Sequence, residues 1–307
     1  MDARWEFPCF PRTELEAQLL ALCSPVPSCL PLTVSAYALL ARSAELDLFP
    51  LAFDRLRRAG AALGEPWQRR FRANAACNLY LRAEQGRLLA SLQAAGVPAA
   101  PLKGIALAEL AYGDSALRAQ VDIDLYVPPR RLAAAFRVLS ACGYRAASPN
   151  GVSPQALART GDEYTSECCF EPAGAPLSVP VELHWRVLPM SDRAFEAALL
   201  PSGGAGFALP PALDFLSLCV RLAADRWRNL KLLADLAHWM VRPSFAWQPV
   251  LEAAQRLRLR RLLAIALMAV RAYFGVAAPA WVREALSPAA TSGVARAAVV
   301  NPFVFSP

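Results

Sequence analysis

Two short segments in which polar and apolar residues alternate constrain the fold of this chain more than any other feature. They read VDIDLYV at residues 121–127 and VELHWRV at residues 181–187. Alternation with a period of two is typical of a β-strand with one polar face. Asp122 and Asp124 therefore project from the same face of the first strand, where their side chains can converge on one point.

The second segment supplies a third carboxylate if its strand lies beside the first in one sheet. Glu182 would then join Asp122 and Asp124 on a shared polar face. Three crowded carboxylates without a cation repel each other and raise one another's pKa. Because hard oxygen donors suit Mg²⁺, the sequence predicts a site for one or two divalent ions. The alternative is a solvated strand face, which commonly carries the D-x-D pattern.

A candidate phosphate site precedes the aspartates. Lysine occurs only at Lys103 and Lys231, so Lys103 is a candidate for a role that requires lysine. Lys103 and Gly104 lead into a predicted helix N-terminus, whose free amides and dipole attract phosphate oxygens. Gly104 allows close approach of the backbone, and Arg118 offers a fork of donors to phosphate.

Each of these residues also has a simpler interpretation. Lys103 can be a solvated lysine at a strand end, and Arg118 can pair with Asp114. His184, on the polar face of the second strand, is more typical of a structural or substrate-side hydrogen bond than of a metal ligand.

The chain divides into three predicted regions, which together indicate an α+β fold. A helical region at 1–95 precedes a small mixed-sheet α/β core at 96–200, and a second helical region at 201–307 follows. Glycines, prolines and changes of periodicity mark the boundaries. The core is predicted to contain a β-hairpin. Predicted helices cover 13–22, 33–46, 51–62, 67–94, 105–112, 130–141, 213–224, 229–241, 247–257 and 258–274, and predicted strands cover 97–102, 121–127, 144–147, 164–171 and 177–187.

The length and hydropathy of the chain bear on its location. Its 307 residues suffice for two or three packed units. A hydrophobic fraction of 56% requires a membrane span to be considered. The longest apolar runs, such as residues 262–270, are far shorter than the roughly 20 residues of a spanning helix. The start, MDARWEFPCFPR, lacks the pattern of a signal peptide. We expect a cytoplasmic protein without a membrane partner.

Charge and cysteine content restrict the partners and the compartment. The formal net charge is +7 and the pI about 9.2, values that suit an anionic partner such as a nucleotide or a nucleic acid. Most arginines are scattered over predicted helices, apart from RLRLRR at residues 256–261, so a solvated surface explains most of the charge. The 8 cysteines form no C-x-x-C pair. This favours free thiols over disulfides or zinc.

Several motifs taken together resemble a known family. That family consists of bacterial nucleotidyltransferases labelled uncharacterised, within the DNA polymerase β-like superfamily. The similarity covers residues from about 30 to 285. The motifs that carry it are LKG at 102–104, LR at 117–118, DIDLYV at 122–127, VELHWR at 181–186 and the helical segment at 215–240.

The resemblance implies roles for individual residues. Asp122 and Asp124 correspond to the metal-binding pair, and Glu182 corresponds to the third carboxylate. Lys103 and Gly104 stand in place of the Gly-Ser signature of the superfamily. No serine follows the glycine here, and the gap from Gly104 to Asp122 is longer than usual.

Because of these departures, phosphate binding is expected to rely on Lys103 and Arg118, and we assign His184 to the nucleotide-binding residues. Asp235 falls on a typically acidic position and is implied as a substrate or nucleotide contact. Arg221 and Asp225 replace residues that are usually histidines.

The expected function is transfer of a nucleoside monophosphate from an NTP, such as ATP, to a hydroxyl or similar acceptor with release of pyrophosphate. Mg²⁺ or Mn²⁺ is the expected cofactor. The expected acceptor is a small molecule, a sugar or a peptide-derived natural product. Two alternatives stay open: an RNA-directed nucleotidyltransferase, which the basic pI motivates, and a non-catalytic NTP-binding or antitoxin-like interaction module. The presence of all three carboxylates weighs against the second.

Overall fold

The computed structural model describes residues 13–26, 32–147, 167–174, 179–187 and 209–287. In these ranges one mixed five-stranded sheet is preceded and followed by helices. This arrangement confirms the predicted α+β fold, with a small sheet flanked by helical regions. None of the helices described is both long enough and apolar enough to cross a membrane.

Three of the described α-helices begin at a residue whose side chain accepts a hydrogen bond from a backbone N–H of the first turn. The hydroxyl of Thr13 accepts a hydrogen bond from the N–H of Glu16 at the start of the first helix. Asn229 caps a later helix in the same way through its side-chain oxygen. The helices described are α1 (Glu14–Cys23), α2 (Ala36–Glu45), α3 (Phe49–Arg58), α4 (Glu65–Ala94), α5 (Gly104–Tyr112), α6 (Leu132–Ala141), α7 (Pro211–Ala224), α8 (Leu230–Met240), α9 (Trp247–Arg256), α10 (Arg260–Phe274) and α11 (Ala280–Ala285).

The sheet joins segments that are far apart in the sequence. Its strands are β1 (Ala100–Pro101), β2 (Ile123–Tyr126), β3 (Tyr144–Ala146), β4 (Glu167–Pro172) and β5 (Val181–His184). Their spatial order is β1-β2-β5-β4-β3, with β2 and β5 parallel and every other neighbouring pair antiparallel. The antiparallel pairing of β4 with β5 confirms the predicted hairpin.

Some element boundaries differ from the predicted ones. Strand β2 begins at Ile123, so Asp122 precedes it, and Val121 is 73% exposed. Helix α3 begins at Phe49 rather than after Pro50, because a proline in the first turn of a helix gives up no intrahelical hydrogen bond.

Two clusters of buried side chains lie on opposite sides of β2. One contains Ile123 and Leu125 together with side chains of α4 and α6. The other contains Tyr126 and side chains of both the N-terminal and the C-terminal helices. Since Asp124 and Tyr126 are two residues apart on a strand, they project from the same face. The polar face of the sheet is therefore on the side of Tyr126 and the second cluster, opposite Ile123 and Leu125.

The six cysteines in the described ranges are all free thiols: Cys23, Cys77, Cys142, Cys168, Cys169 and Cys219. Several predictions lie outside the described residues. They are those for Cys9 and Cys29, for the start of the chain at residues 1–12, and for the beginnings of the strands predicted at 164–171 and 177–187.

Candidate functional site

The parallel pairing of β2 with β5 brings the candidate carboxylates together. Asp124 is the direct partner of Glu182 in this register, and Tyr126 is the partner of His184. Strand β4 continues the same polar face, because Glu167 lies opposite His184 and Cys169 lies opposite Glu182. The expected placement of Glu182 beside Asp124 is therefore present in the structure.

The imidazole of His184 lies among three carboxylates. Its Nε2 is 2.8 Å from Asp124 Oδ1 and 3.6 Å from Glu182 Oε2, while its Nδ1 is 3.1 Å from Glu167 Oε2. Burial alone lowers the pKa of a histidine, but hydrogen bonds to Asp124, Glu167 and Glu182 outweigh burial here and raise the pKa of His184 to about 10.

Asp124 is the most buried of these three carboxylates. Its Oδ1 accepts hydrogen bonds from His184 Nε2 at 2.8 Å and from Lys103 Nζ at 3.2 Å. Burial acts to raise the pKa of Asp124, but these two donors prevail and keep it well below its usual range. Asp124 is consequently ionised and available as an anionic ligand.

The spacing of the donor atoms fits a divalent ion. Asp124, Glu182 and His184 offer ligand atoms that all lie within 4.8 Å of one another. In an octahedral complex with bonds of about 2.1 Å, neighbouring ligand atoms are about 3 Å apart and opposite ones about 4 Å apart. The two separations from His184 Nε2, 2.8 Å to Asp124 Oδ1 and 3.6 Å to Glu182 Oε2, are close to these values.

Asp122 lies beside this group, before the start of the strand. It is half-buried. Burial raises the pKa of Asp122, and the charges of Asp124 and Glu182 raise it further, while Lys103 opposes them. The crowding of three carboxylates expected from the sequence thus has its expected electrostatic effect. Asp122 is not one of the three residues whose ligand atoms share the 4.8 Å group.

Lys103 and Gly104 form the turn that enters α5. Both have positive φ angles, 43° for Lys103 and 51° for Gly104. This conformation is unfavourable for any residue except glycine and is typically found where function requires it. The turn directs the Lys103 ammonium to Asp124.

Arg118 and Asp235 are paired and buried. The Nε of Arg118 lies 3.0 Å from Asp235 Oδ2, and their side chains are 6% and 0% exposed. The Tyr112 hydroxyl donates to the other oxygen of Asp235 at 2.8 Å. The resemblance implies a substrate or nucleotide contact for Asp235, and in the structure this carboxylate is fully buried and accepts hydrogen bonds from Arg118 and Tyr112. Arg118 also pairs with Asp235 rather than with Asp114.

Two asparagines of α4 hold the segment that carries Arg118. The buried Asn78 donates from Nδ2 to the carbonyl oxygens of Ser115 and Arg118. Asn74 donates to the carbonyl of Ala116 at 2.8 Å. Through these hydrogen bonds α4 supports the segment that carries Arg118.

Two further acidic residues belong to the site and were not identified in the sequence. Glu167 contacts His184, and this hydrogen bond lowers the pKa of Glu167. The alternation in ECCFE at 167–171 contained the signal for Glu167. Asp214, in the first turn of α7, is 5% exposed. Burial raises the pKa of Asp214, the charge of Lys103 lowers it, and the charge of Asp124 raises it. Asp214 is the one acidic residue of α7, and a single acid has no periodic pattern that marks it.

Comparison with models of protein families identifies a match over most of the chain. A family model described as uncharacterised nucleotidyltransferase matches residues 34–275. This range is more than half of the chain and includes all the site residues described above. A search of curated proteins returned no significant match.

Proposed function

The chain belongs to the family of uncharacterised nucleotidyltransferases, and from this membership we propose that it transfers a nucleoside monophosphate from an NTP to an acceptor. The acceptor is a hydroxyl or similar group on a small molecule, a sugar or a peptide-derived natural product, and pyrophosphate is released. The parallel register that sets Asp124 beside Glu182 carries the proposal. Motif similarity supports a place for the family in the DNA polymerase β-like superfamily.

In this proposal the carboxylates hold divalent ions. Asp122, Asp124 and Glu182 would hold the ions, with Glu182 as the third carboxylate of the set. Mg²⁺ or Mn²⁺ at such a site supplies charge that stabilises the triphosphate and activates the attacking oxygen. The protein has little covalent work to do, so catalysis comes from positioning and charge neutralisation.

Exposure distinguishes the roles of the two paired carboxylates. The side chain of Glu182 is 35% exposed, whereas that of Asp124 is 7% exposed. An acceptor hydroxyl can therefore approach Glu182 much more readily than Asp124. We assign to Glu182 the additional role of accepting the proton of the acceptor.

Lys103 and Arg118 provide the positive charge for the triphosphate. Lys103 Nζ donates to Asp124 Oδ1 at 3.2 Å, so its ammonium lies at the carboxylate site, where it would attract phosphate oxygens. The N-terminus of α5 at Gly104 adds backbone N–H groups. Arg118 acts chiefly as a fixed positive charge, because Asp235 holds its Nε.

The test is an assay with α-labelled NTPs, a divalent ion and pools of candidate acceptors. Wild-type protein is expected to release pyrophosphate and to form a labelled adduct. Asp122→Asn and Asp124→Asn are expected to lower transfer by at least about a hundredfold, because each removes charge that stabilises the transition state. Glu171→Gln is the matched control, since Glu171 is exposed on the neighbouring strand. Thermal unfolding checks that each variant is folded.

The outcomes separate the alternatives. Wild-type activity in either aspartate variant contradicts the assignment of the site. NTP binding by calorimetry without pyrophosphate or adduct formation indicates a non-catalytic module. A labelled RNA product, with RNA binding that weakens steeply as salt increases, indicates an RNA-directed enzyme.

A further inference from the structure

His184 is placed to do more than form a hydrogen bond with substrate. Its ring lies between the carboxylate pair and Glu167, with Nε2 toward Asp124 and Glu182 and Nδ1 toward Glu167. We infer that His184 is a metal ligand through Nε2, and that Glu167 is the positioning residue that holds the proton on Nδ1. This inference rests on the proposed function only in that both concern the same site.

The distances support ligation by Nε2. Nε2 lies 2.8 Å from Asp124 Oδ1 and 3.6 Å from Glu182 Oε2. These values lie on either side of the separation of about 3 Å between neighbouring ligand atoms of an octahedral ion. One ion can therefore contact the nitrogen and both carboxylates with small side-chain adjustments.

The second nitrogen has the partner that a metal-bound histidine requires. A neutral imidazole that binds a metal through Nε2 carries its proton on Nδ1, and a carboxylate commonly accepts that proton in a hydrogen bond. Glu167 Oε2 lies 3.1 Å from Nδ1. It reaches this position because Glu167 and His184 are direct partners in the pairing of β4 with β5.

A nitrogen ligand changes which ion the site prefers. Mg²⁺ favours oxygen donors and retained water, whereas imidazole suits divalent ions of the first transition series. A site of two carboxylates and one imidazole is therefore expected to bind Mn²⁺ more tightly than Mg²⁺. The chemical class of the resident ion is a divalent transition metal.

The experiment uses the full chain with Mn²⁺ alone as the probe. Continuous-wave EPR measures the affinity for Mn²⁺, competition with Mg²⁺ measures the preference, and pulsed EPR detects coupling of bound Mn²⁺ to a ¹⁴N nucleus. Wild-type protein should show imidazole nitrogen coupling. His184→Gln, which offers an amide in place of the ring, should lose the coupling and the preference for Mn²⁺.

Glu167 is tested separately. Glu167→Ala is expected to weaken Mn²⁺ binding by about 10- to 100-fold, the usual effect of removing the partner of a metal-bound histidine. Glu167→Gln retains an acceptor for the Nδ1 proton and should restore part of the affinity. Glu171→Gln, on the same strand and exposed, should bind Mn²⁺ as the wild type does.

Three results would overturn the inference: no binding of Mn²⁺ by the wild type, bound Mn²⁺ without nitrogen coupling, or unchanged affinity in Glu167→Ala. The nitrogen signal of the wild type decides the matter even if His184→Gln does not fold. Failure of the proposed function is distinguishable. Nitrogen-coupled Mn²⁺ without a nucleotidyl adduct refutes the function alone, and adduct formation without nitrogen coupling refutes the metal ligation alone.

Discussion

The carboxyl group of Asp214 is buried beside the candidate site with incomplete hydrogen bonding. Its Oδ1 has no hydrogen-bond partner among the described residues. Burial raises the pKa of Asp214 to about 7, although Lys103 and Arg118 act in the opposite direction. The protonation state of Asp214 therefore changes near neutral pH.

This raised pKa makes stability depend on pH. The unfolded chain loses the Asp214 proton near pH 3.8, whereas the folded protein keeps it until about pH 7. Stability therefore falls as the pH rises through this window and is not reduced further above it. We predict that Asp214→Asn is more stable than the wild type at pH 8, by a few kcal/mol because each pKa unit corresponds to about 1.4 kcal/mol. The difference should shrink toward pH 4.

Urea unfolding over this pH range measures the effect. Burial lowers the pKa of His238 to about 4, but its titration is common to both proteins and cancels in the difference. Asp47→Asn, at an exposed carboxylate, is the control. Parallel stability curves for the wild type and Asp214→Asn would show that Asp214 does not carry this proton.

At the residue scale, the sequence predicts those members of the site that follow a strand period. The alternation of polar and apolar residues around Asp124 and Glu182 predicts the sheet face from which each side chain projects, because successive strand side chains point to opposite faces. Asp214 and the pairing of Arg118 with Asp235 have no periodic signature. Their proximity depends on helix packing between residues about a hundred positions apart in the sequence.

The segment between α5 and β2 depends on α4 for its conformation. Asn78 is 1% exposed and donates to two carbonyl groups of this segment, one of them that of Arg118 at 3.0 Å. Loss of the amide leaves buried carbonyl oxygens without that donor, at a cost of about 1–3 kcal/mol. We predict that Asn78→Ala is destabilised by this amount and that its KM for the NTP rises several-fold, because Arg118 is displaced.

A graded series of variants tests this prediction. Asn78→Asp keeps the shape but sets a carboxylate oxygen against the two carbonyl groups, so it should be more harmful than Asn78→Ala. Gln68→Ala, on the exposed part of the same helix, should change neither stability nor KM appreciably. Equal effects of Asn78→Ala and Gln68→Ala would argue that the segment holds its own conformation.

At the element scale, helices and the local hairpin follow from the sequence, but the parallel pair does not. The antiparallel β4–β5 pairing joins neighbouring segments through a short connection. The β2–β5 register pairs Ile123 with Val181, although β3 and β4 lie between them in the sequence. Alternation fixes the face of each strand but leaves the neighbour and the register to tertiary packing.

At the scale of the whole molecule, the N-terminal and C-terminal helices share one core. The Ser24 hydroxyl donates to the carbonyl of Phe274 at 2.7 Å, and His238 Nε2 lies 3.0 Å from the carbonyl of Cys23. Leu19 and Val270 belong to the same buried cluster. Contacts between such distant parts of the chain leave no pattern in the sequence. The division into regions 1–95, 96–200 and 201–307 stays a prediction.

The pair of Arg118 and Asp235 joins the segment before β2 to α8 of the C-terminal helices. Removing one member of a buried ion pair leaves an uncompensated charge and costs about 3–5 kcal/mol, whereas replacing both members with apolar residues costs far less. We predict that Asp235→Leu and Arg118→Met are each strongly destabilised, and that the double variant regains most of the loss. Tyr112→Phe, which removes one hydrogen bond to Asp235, should lose only about 1 kcal/mol.

The double variant also separates the effect of the ion pair on stability from its effect on activity. Urea unfolding of the four proteins gives the coupling energy of the pair, which should be large because each single change strands the other charge. The folded double variant lacks the Arg118 charge and should therefore show a higher KM for the NTP even where its stability is restored. Additive losses in the two single variants would mean that the pair does not couple the sheet to the helices. A restored KM in the double variant would mean that Arg118 serves only the fold.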